Sequence, residues 1–203
     1  RHIGLGTLGY LYFFTKNGFT IFCENPSHLK RAFKNNTTLQ DLNYEVRTGR
    51  VVWNQNRELL TNSSREGVPL IWAHNIKINR LDFPVMGDKK PQYIKRSDYE
   101  VGPAIVVNRI TGSVASSRLR AAVIPAGMKF FAENHVNVIY PPDNTREQKS
   151  FSLNKEVKPK LTLERIAYQL SSEEKISALQ NITGNTQISK TELKKLLPIT
   201  VRS

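Results

Sequence analysis

The sequence of 203 residues is long enough for one domain, or for one domain and a fragment of a second. Thirty Lys and Arg against 17 Asp and Glu give a formal net charge of +13, and 39% hydrophobic residues still allow a core of ordinary size. A single cysteine, Cys23, excludes an internal disulfide, and no apolar run approaches the roughly 20 residues of a membrane-spanning helix.

The positive charge is spread over the whole sequence. Residues 1–60, 61–150 and 151–203 carry excesses of +4, +5 and +4. This distribution favours a folded surface with a positive face over a basic tail, and nucleic acid is the usual partner of such a surface. The lone cysteine favours a reducing compartment, so we expect a cytoplasmic protein without a membrane partner. The sequence begins at Arg1, and we expect it to be a piece of a longer protein.

Residues 1–36 predict a β-hairpin followed by a helix. The aromatic and β-branched runs LGYLYFF and FTIFCE flank Asn17-Gly18, and Asn-Gly is a strong signal for a tight turn. The polar stretch from Asn25 to Asn36 is typical of a helix capped by Ser27. A hairpin is not stable alone, so it must pack on another part of the protein. Thr37-Thr38 starts a new unit, so we place a domain boundary near residue 36 and expect 1–36 to be a linker or the end of a preceding domain.

A strand-rich region follows. TLQDLNYEVRTGRVVWN predicts a helical turn, a strand from Tyr44 to Arg47, a Thr-Gly turn and a strand through Val51, Val52 and Trp53. Further strands are predicted from short apolar runs bounded by turn residues: PLIWAHNIKI (69–78), PQYIKR (91–96), PAIVVNRI (103–110), RAAVIPA (120–126) and FFAENHVNVIYP (130–141). PAIVVNRI begins with a continuous apolar run rather than an alternating one, which predicts a central position in a sheet.

Residues 159–203 predict helices. Ser171 with Glu174, and Ser189 with Glu192, have the spacing of a capping box, and Pro198 ends the second helix. Apolar residues at helical spacing are expected to face inward: Ile176, Leu179, Leu193, Leu196 and Leu197. The predicted fold class is therefore α+β, a twisted and mostly antiparallel sheet followed by C-terminal helices.

Catalytic motifs are missing from the sequence. The four histidines lack the spacing of a metal site, and there is no Gly-x-Ser-x-Gly elbow or P-loop. The string GLGTLG, starting at Gly4, lacks the strand and helix signals that flank a nucleotide-binding loop. Glu147-Gln148-Lys149 has the tripeptide of a metal-dependent nuclease but lies in a polar loop. We therefore predict no catalytic, metal-binding or cofactor-binding residue in this chain.

Polar and basic residues at predicted strand ends instead favour recognition of nucleic acid. Arg can bond to O6 and N7 of guanine, Asn or Gln can bond to N6 and N7 of adenine, and Lys or Arg in loops can bind phosphates. The candidate DNA-binding residues are Arg47, Arg50, Asn75, Lys77, Lys95, Arg96, Asn108, Arg109, Arg118, Arg120, Asn134, His135 and Gln187.

Six strings occur in an order that resembles a known family. They are VRTGRVVWNQNRELLT (46–61), GVPLIWAHNI (67–76), YIKR (93–96), PAIVVNRITG (103–112), ENHVNVI (133–139) and NITGNTQISKTELKKLLPI (181–199). Together they resemble the C-terminal target-recognition region of adenine-N6 DNA methyltransferases from bacterial restriction-modification systems, the Eco57I-like and TaqI-like group. The resemblance covers residues 37–200.

The resemblance implies that residues 37–203 form a DNA target-recognition domain, and that 1–36 ends a catalytic domain or links to it. It implies double-stranded DNA as a partner and a methyltransferase domain in cis, which would bind S-adenosylmethionine. This chain lacks the methyl-donor loop and the Asn-Pro-Pro-aromatic motif of that domain, so we expect no methyl transfer by the chain alone and no cofactor in it.

Two alternatives stay open. The closing string also resembles the DNA-specificity subunits of type I restriction systems, which are non-enzymatic adaptors. That hypothesis needs a second recognition domain and long paired helices, whereas the helices predicted here are short. The other alternative is a self-contained nuclease or an RNA-binding module. The missing acidic cluster argues against the nuclease.

Overall fold

The computed structural model describes residues 4–8, 11–23, 27, 31, 33–84, 90–109, 119–142, 161–176 and 188–201. Within them the chain is α+β, with mostly antiparallel sheets and few helices that lie mainly near the C-terminus. The strands are β1 Gly4–Leu8, β2 Leu11–Lys16, β3 Phe19–Cys23, β4 Asn36–Thr37, β5 Glu45–Thr48, β6 Leu60–Thr61, β7 Val68–Ile71, β8 Ile76–Lys77, β9 Arg80–Leu81, β10 Tyr93–Ile94, β11 Glu100–Val101, β12 Ala104–Asn108, β13 Ala121–Ile124, β14 Lys129–Ala132, β15 Val136–Tyr140 and β16 Ile199–Thr200. Two α-helices are described over their full length, α1 Leu163–Leu170 and α2 Lys190–Lys195. No helix in these ranges is long and apolar enough to cross a membrane.

The predicted N-terminal hairpin is confirmed. β2 and β3 pair through Asn17 and Gly18, both of which have positive φ (51° and 81°), as a tight hairpin turn requires. The structure adds β1 as a third antiparallel strand, so Gly4–Leu8 of the GLGTLG string form an edge strand of the sheet. Of the predicted helix at 25–36, Ser27, Arg31 and Phe33 are helical, and the neighbours of Ser27 lie outside the described residues.

The central four-stranded sheet has the order β13-β12-β15-β5, and all its pairs are antiparallel. The predicted central strand is confirmed, since β12 lies between two neighbours and all five of its residues are buried. Ile105 and Val107 pack in the core that contains the helices, whereas Ala104 and Val106 pack in the core shared with the second sheet. Both faces of β12 are covered, which explains its continuous apolar run.

A second sheet of five strands has the order β11-β14-β7-β10-β6, in which β14 and β7 pair in parallel and the other pairs are antiparallel. The prediction of one strand over 130–141 is wrong. The chain turns at Glu133–His135, so that β14 belongs to the second sheet and β15 to the central sheet. The two sheets enclose an apolar layer that includes Ile71 and Phe130.

The predicted strand through Val51, Val52 and Trp53 is also wrong. Val51 makes a single bridge to Glu133, and the chain then enters two short 3₁₀ turns, Trp53–Gln55 and Arg57–Leu59. The side-chain amide of Asn56 donates to the Val52 carbonyl at 2.9 Å, which stabilises the turn in place of a strand ladder. In place of the predicted turn, two backbone segments of the chain come close together at Gly49. A Cβ atom at this position would lie 2.3 Å from the Glu133 carbonyl oxygen.

The C-terminal helices agree with the sequence in part. Ser189 and Glu192 form the predicted capping box, and α2 ends before Pro198. Ser171 does not begin a helix: it ends α1, and its hydroxyl accepts a hydrogen bond from the Ala121 backbone at 3.0 Å. Residues 173–176 are helical, and Leu179 lies outside the described residues. The apolar positions that are described are buried as predicted: Ile176, Leu193, Leu196 and Leu197.

Contacts cross the predicted boundary at residue 36. β4 pairs with β16, the Lys16 amine lies 3.0 Å from the Asp41 carboxylate, and the Asn17 side-chain amide donates to the Lys195 carbonyl. Ile21 and Phe33 share one apolar core with the helices. The hairpin therefore packs on the rest of the chain, while its assignment to a preceding domain stays a prediction.

Candidate functional site

The candidate residues that the structure describes fall into four groups. Arg118 and Gln187 lie outside the described residues. The others are buried amides, cations paired with carboxylates, a turn between the two sheets, and cations around a pair of tryptophans.

Asn75 and Asn108 are buried in this conformation, and their assignment as DNA contacts stays a prediction. Asn75 accepts from the Trp72 backbone at 2.8 Å and donates to the Asp82 carbonyl and to the Gln92 side chain. Asn108 accepts from the backbone of Arg120 at 2.6 Å. Their amides hold neighbouring loops in place, because a buried polar group needs hydrogen-bond partners.

We define the acid-paired surface as Arg47, Arg50, Lys95 and Arg96 with their carboxylate partners Glu45, Glu66, Asp98 and Glu100. Arg47 donates through Nε and Nη2 to the two oxygens of Glu45, each at 2.8 Å. Lys95 lies 2.5 Å from Glu66. The charge of each cation is therefore largely offset within the protein.

Asp98 lies at the centre of the acid-paired surface. It accepts from Arg96 at 2.7 Å and from Arg50 at 3.2 Å, and Arg50 also lies 3.3 Å from Glu100. The hydrogen bonds from Arg96 lower the pKa of Asp98. Both guanidinium groups cover the Phe131 ring, at 5.7 Å for Arg50 and 5.3 Å for Arg96. An open groove of about 710 Å³ beside them is lined by both signs of charge, including Arg65 and Glu66.

The turn between β14 and β15 brings three candidates together. Arg109 is exposed, and its guanidinium donates weakly to the Asn134 carbonyl at 3.5 Å. His135 is exposed, and its Nδ1 lies 2.8 Å from the buried carboxylate of Glu133, which also accepts from the His135 backbone. The side-chain oxygen of Asn134 is buried and has no hydrogen-bond partner among the described residues. Arg109 and His135 are the two groups here that can contact a ligand.

The tryptophan cluster consists of Trp53, Arg57, Trp72, His74, Lys77, Lys90 and Arg120. The rings of Trp53 and Trp72 are 6.4 Å apart, and the His74 ring stacks on Trp72 at 6.2 Å. The Arg57 guanidinium lies 4.9 Å from the Trp53 ring centre, and the Lys90 amine lies 5.9 Å from that of Trp72. These distances are within the range of cation–π attraction.

His74 is surrounded by positive charge. Burial lowers the pKa of His74, and repulsion from Lys90, Lys77 and Arg120 lowers it further. Arg120 reaches this position by donating to the Ala73 carbonyl at 3.4 Å. The imidazole is therefore neutral near pH 7, and the described part of the chain places no carboxylate between the cations of the cluster.

A hydrogen-bond chain fixes which nitrogen of His74 carries the proton. The Gln92 side-chain oxygen accepts from Asn75 at 2.6 Å, so the Gln92 amide nitrogen faces the Lys90 carbonyl and His74 Nε2. That nitrogen can only donate, so Nε2 accepts and the neutral ring carries its proton on Nδ1, which is buried and has no hydrogen-bond partner among the described residues. Adding a second proton would place a hydrogen on Nε2 against the Gln92 N–H groups.

In the part of the chain that the structure describes, no ion pair joins Arg57, Lys77, Lys90 or Arg120 to an acidic side chain. Glu58 follows Arg57 in the same turn and does not pair with it. Lys77 and Arg120 were predicted from the sequence, whereas Trp53, Arg57, His74 and Lys90 were not. Arg57 follows Trp53 at helical i, i+4 spacing, which is a signal that a helical assignment of this segment would have used.

Across the described residues, no group of three or more His, Cys, Asp or Glu side chains could hold a metal ion. No protein-family model matches the sequence, and no curated protein matches it.

Proposed function

We propose that this chain binds double-stranded DNA sequence-selectively, as the target-recognition part of a site-specific adenine-N6 DNA methyltransferase in a bacterial restriction-modification system. Two independent features support the proposal. The ordered strings from Val46 to Ile199 resemble that group of enzymes, and the cations of the tryptophan cluster have no carboxylate partner among the described residues. The second feature carries the proposal, because it belongs to the folded chain.

Unpaired cations on a folded surface are suited to phosphates. Each Lys or Arg that neutralises a phosphate releases condensed counterions, which favours binding and makes the affinity depend steeply on salt. Arg57, Lys77, Lys90 and Arg120 are the best placed for this role, since they lose no carboxylate contact when DNA arrives. The net charge of +13 adds long-range attraction.

Base reading needs exposed donors that can enter a groove. Arg109 and His135 lie together on the exposed side of the turn between β14 and β15, and an Arg can bond to O6 and N7 of a guanine. We assign these two residues to base or phosphate contacts beside the tryptophan cluster. Asn75 holds the backbone of Trp72 and the side chain of Gln92 from inside, and Asn108 holds the backbone of Arg120.

Methyl transfer would be carried out by a domain of the same polypeptide that lies outside these 203 residues, and the whole protein would be cytoplasmic. The sequence lacks the methyl-donor loop and the Asn-Pro-Pro-aromatic motif, so its residues do not fit a site for S-adenosylmethionine. The role of this chain in the reaction is to hold the duplex. Extruding an adenine costs a few kcal/mol, which contacts to flanking phosphates and bases can supply.

The proposal is tested by selection from a pool of random 30-base-pair duplexes, followed by fluorescence anisotropy with the selected sequence and a scrambled control. We expect one sequence to be enriched, and its affinity to fall linearly with salt on logarithmic axes. Selected and scrambled duplexes that bind equally at physiological salt would contradict sequence-selective recognition. Cleavage of either duplex by the chain with Mg²⁺ would instead support a nuclease.

A further inference from the structure

Trp53 presents an aromatic ring to solvent. It lies on the short turn Trp53–Gln55 and is 36% exposed, whereas Trp72 behind it is 5% exposed and belongs to the core. Arg57 lies 4.9 Å from the Trp53 ring centre, and Trp72 braces the ring at 6.4 Å with an interplanar angle of 49°. The exposed ring is thus held in place by a cation and by a buried neighbour.

The surroundings of Trp53 select for a negative ligand. Lys90 contacts the adjacent Trp72 ring, and Lys77 and Arg120 approach His74 one ring further along. No carboxylate pairs with these cations in the described ranges. A ligand that combines a flat ring with phosphate charge satisfies both features, and a nucleotide is such a ligand.

The stacking geometry distinguishes unpaired bases from paired ones. Both faces of a base inside a duplex are covered by its neighbours, so an indole ring can stack only on a base that is unpaired, bulged or at an end. Every base offers such a face, so this contact does not depend on sequence.

We propose that Trp53 and Arg57 form a stacking site for an unpaired base of DNA, with Lys77 and Lys90 binding the adjacent phosphates. The proposal rests on the proposed function for its nucleic-acid ligand. It extends that function by giving the chain a second mode of binding, in which distorted or single-stranded DNA is held in addition to the paired target.

The test compares two fluorescein-labelled duplexes of one arbitrary sequence, one fully paired and one with a single bulged thymidine at its centre. Anisotropy titrations use the wild-type chain and the variants Trp53→Ala, Trp53→Phe and Tyr168→Ala. Tyr168 is a matched control, since it is an aromatic residue on α1 that is 65% exposed. Circular dichroism spectra show whether each variant is folded.

We expect the wild-type chain to bind the bulged duplex about tenfold more tightly than the paired one. Trp53→Ala should abolish this preference, Trp53→Phe should restore most of it, and Tyr168→Ala should leave it unchanged. A wild-type chain without the preference, or a Trp53→Ala chain that retains it, would overturn the stacking site.

The two proposals fail separately. Sequence-selective binding of paired duplexes without any bulge preference would overturn the stacking site and leave the target-recognition function standing. A bulge preference that depends on Trp53, without selectivity for any paired sequence, would do the reverse.

Discussion

The acid-paired surface and the tryptophan cluster contain similar cations in opposite electrostatic settings. Arg47, Arg50, Lys95 and Arg96 each lie within 3.3 Å of a carboxylate oxygen. The cations of the tryptophan cluster instead lie over aromatic rings and beside a neutral histidine. A count of Lys and Arg cannot separate these two surfaces, although, within the described ranges, only the tryptophan cluster has cations without a carboxylate partner.

The largest expected difference comes from removing three charges from each surface. The variant Arg57→Ala/Lys77→Ala/Lys90→Ala should bind its selected duplex about a thousandfold more weakly, at about tenfold for each charged contact. The matched variant Arg47→Ala/Arg50→Ala/Lys95→Ala loses the same net charge and should bind less than about tenfold more weakly. Anisotropy at several salt concentrations gives both values.

The salt dependence of DNA affinity gives a second measure of the difference between the two triple variants. The slope of log affinity against log salt should fall by about 0.9 for each lost phosphate contact, so by about 3 for the first variant. The second variant should keep nearly the wild-type slope. Equal losses in the two variants would mean that overall charge, rather than the arrangement in the tryptophan cluster, determines binding.

Stability gives the next largest effect, because Asn75 supports the tryptophan cluster from inside. Asn75→Ala would leave the Trp72 N–H, the Asp82 carbonyl and the Gln92 side-chain oxygen without their partner. We expect the free energy of unfolding to fall by about 3 kcal/mol, at about 1 kcal/mol for each lost contact. Urea unfolding measures it, with the exposed Asn54→Ala as the control.

An Asn75→Ala chain that keeps wild-type stability but loses DNA affinity would contradict this assignment. That result would return Asn75 to the contact residues that the sequence predicted, and would require its loop to open when DNA binds.

The central strand could be predicted from sequence because its signal is local. The apolar run at 104–107 is covered on both faces, and that is visible in the residues themselves. The division of 130–141 between two sheets could not be predicted in this way. It depends on the pairing of Phe131 with Leu70 and of Val138 with Val106, which are distant in sequence.

The candidate functional residues also depend on contacts between residues that are distant in sequence. The residue type and sequence position of Lys77 and Arg120 predict them as candidates. The sequence places Trp53 in a strand and does not show its contact with Trp72. Whether a cation is free depends on acids far along the chain, as Arg50 and Asp98 show at a sequence separation of 48 positions. Residue type therefore gives candidates, and only the fold separates paired from unpaired charge.

A pH titration tests the neutral His74 on which the tryptophan cluster depends. Its pKa in the folded chain lies below the ordinary value, chiefly because of burial, so the neutral form stabilises the fold. This stabilisation is complete above about pH 6.5 and is lost as the pH falls from there to the lowered pKa. NMR of the ring protons should place the pKa of His74 below the ordinary histidine value of about 6.5.

His74→Gln provides the control for that titration, since it removes the titrating group and keeps a polar side chain. The fall in unfolding free energy between neutral and mildly acidic pH should be smaller in this variant than in wild type. A His74 that titrates at or above the ordinary value would show that the surrounding cations have partners outside the described residues.

The smallest expected effect concerns a single residue of the acid-paired surface. Lys95 and Glu66 are about half exposed, at 47% and 55% of their side chains, and an exposed ion pair contributes at most about 1 kcal/mol. Lys95→Ala should change the free energy of unfolding by less than that and weaken DNA binding less than about twofold. The double variant Lys95→Ala/Glu66→Ala restores the net charge and should bind as wild type does. A tenfold loss of affinity in Lys95→Ala that the double variant does not recover would place Lys95 in direct contact with DNA. Removing Glu66 restores the net charge of the protein, but it cannot replace a lost contact between Lys95 and a phosphate.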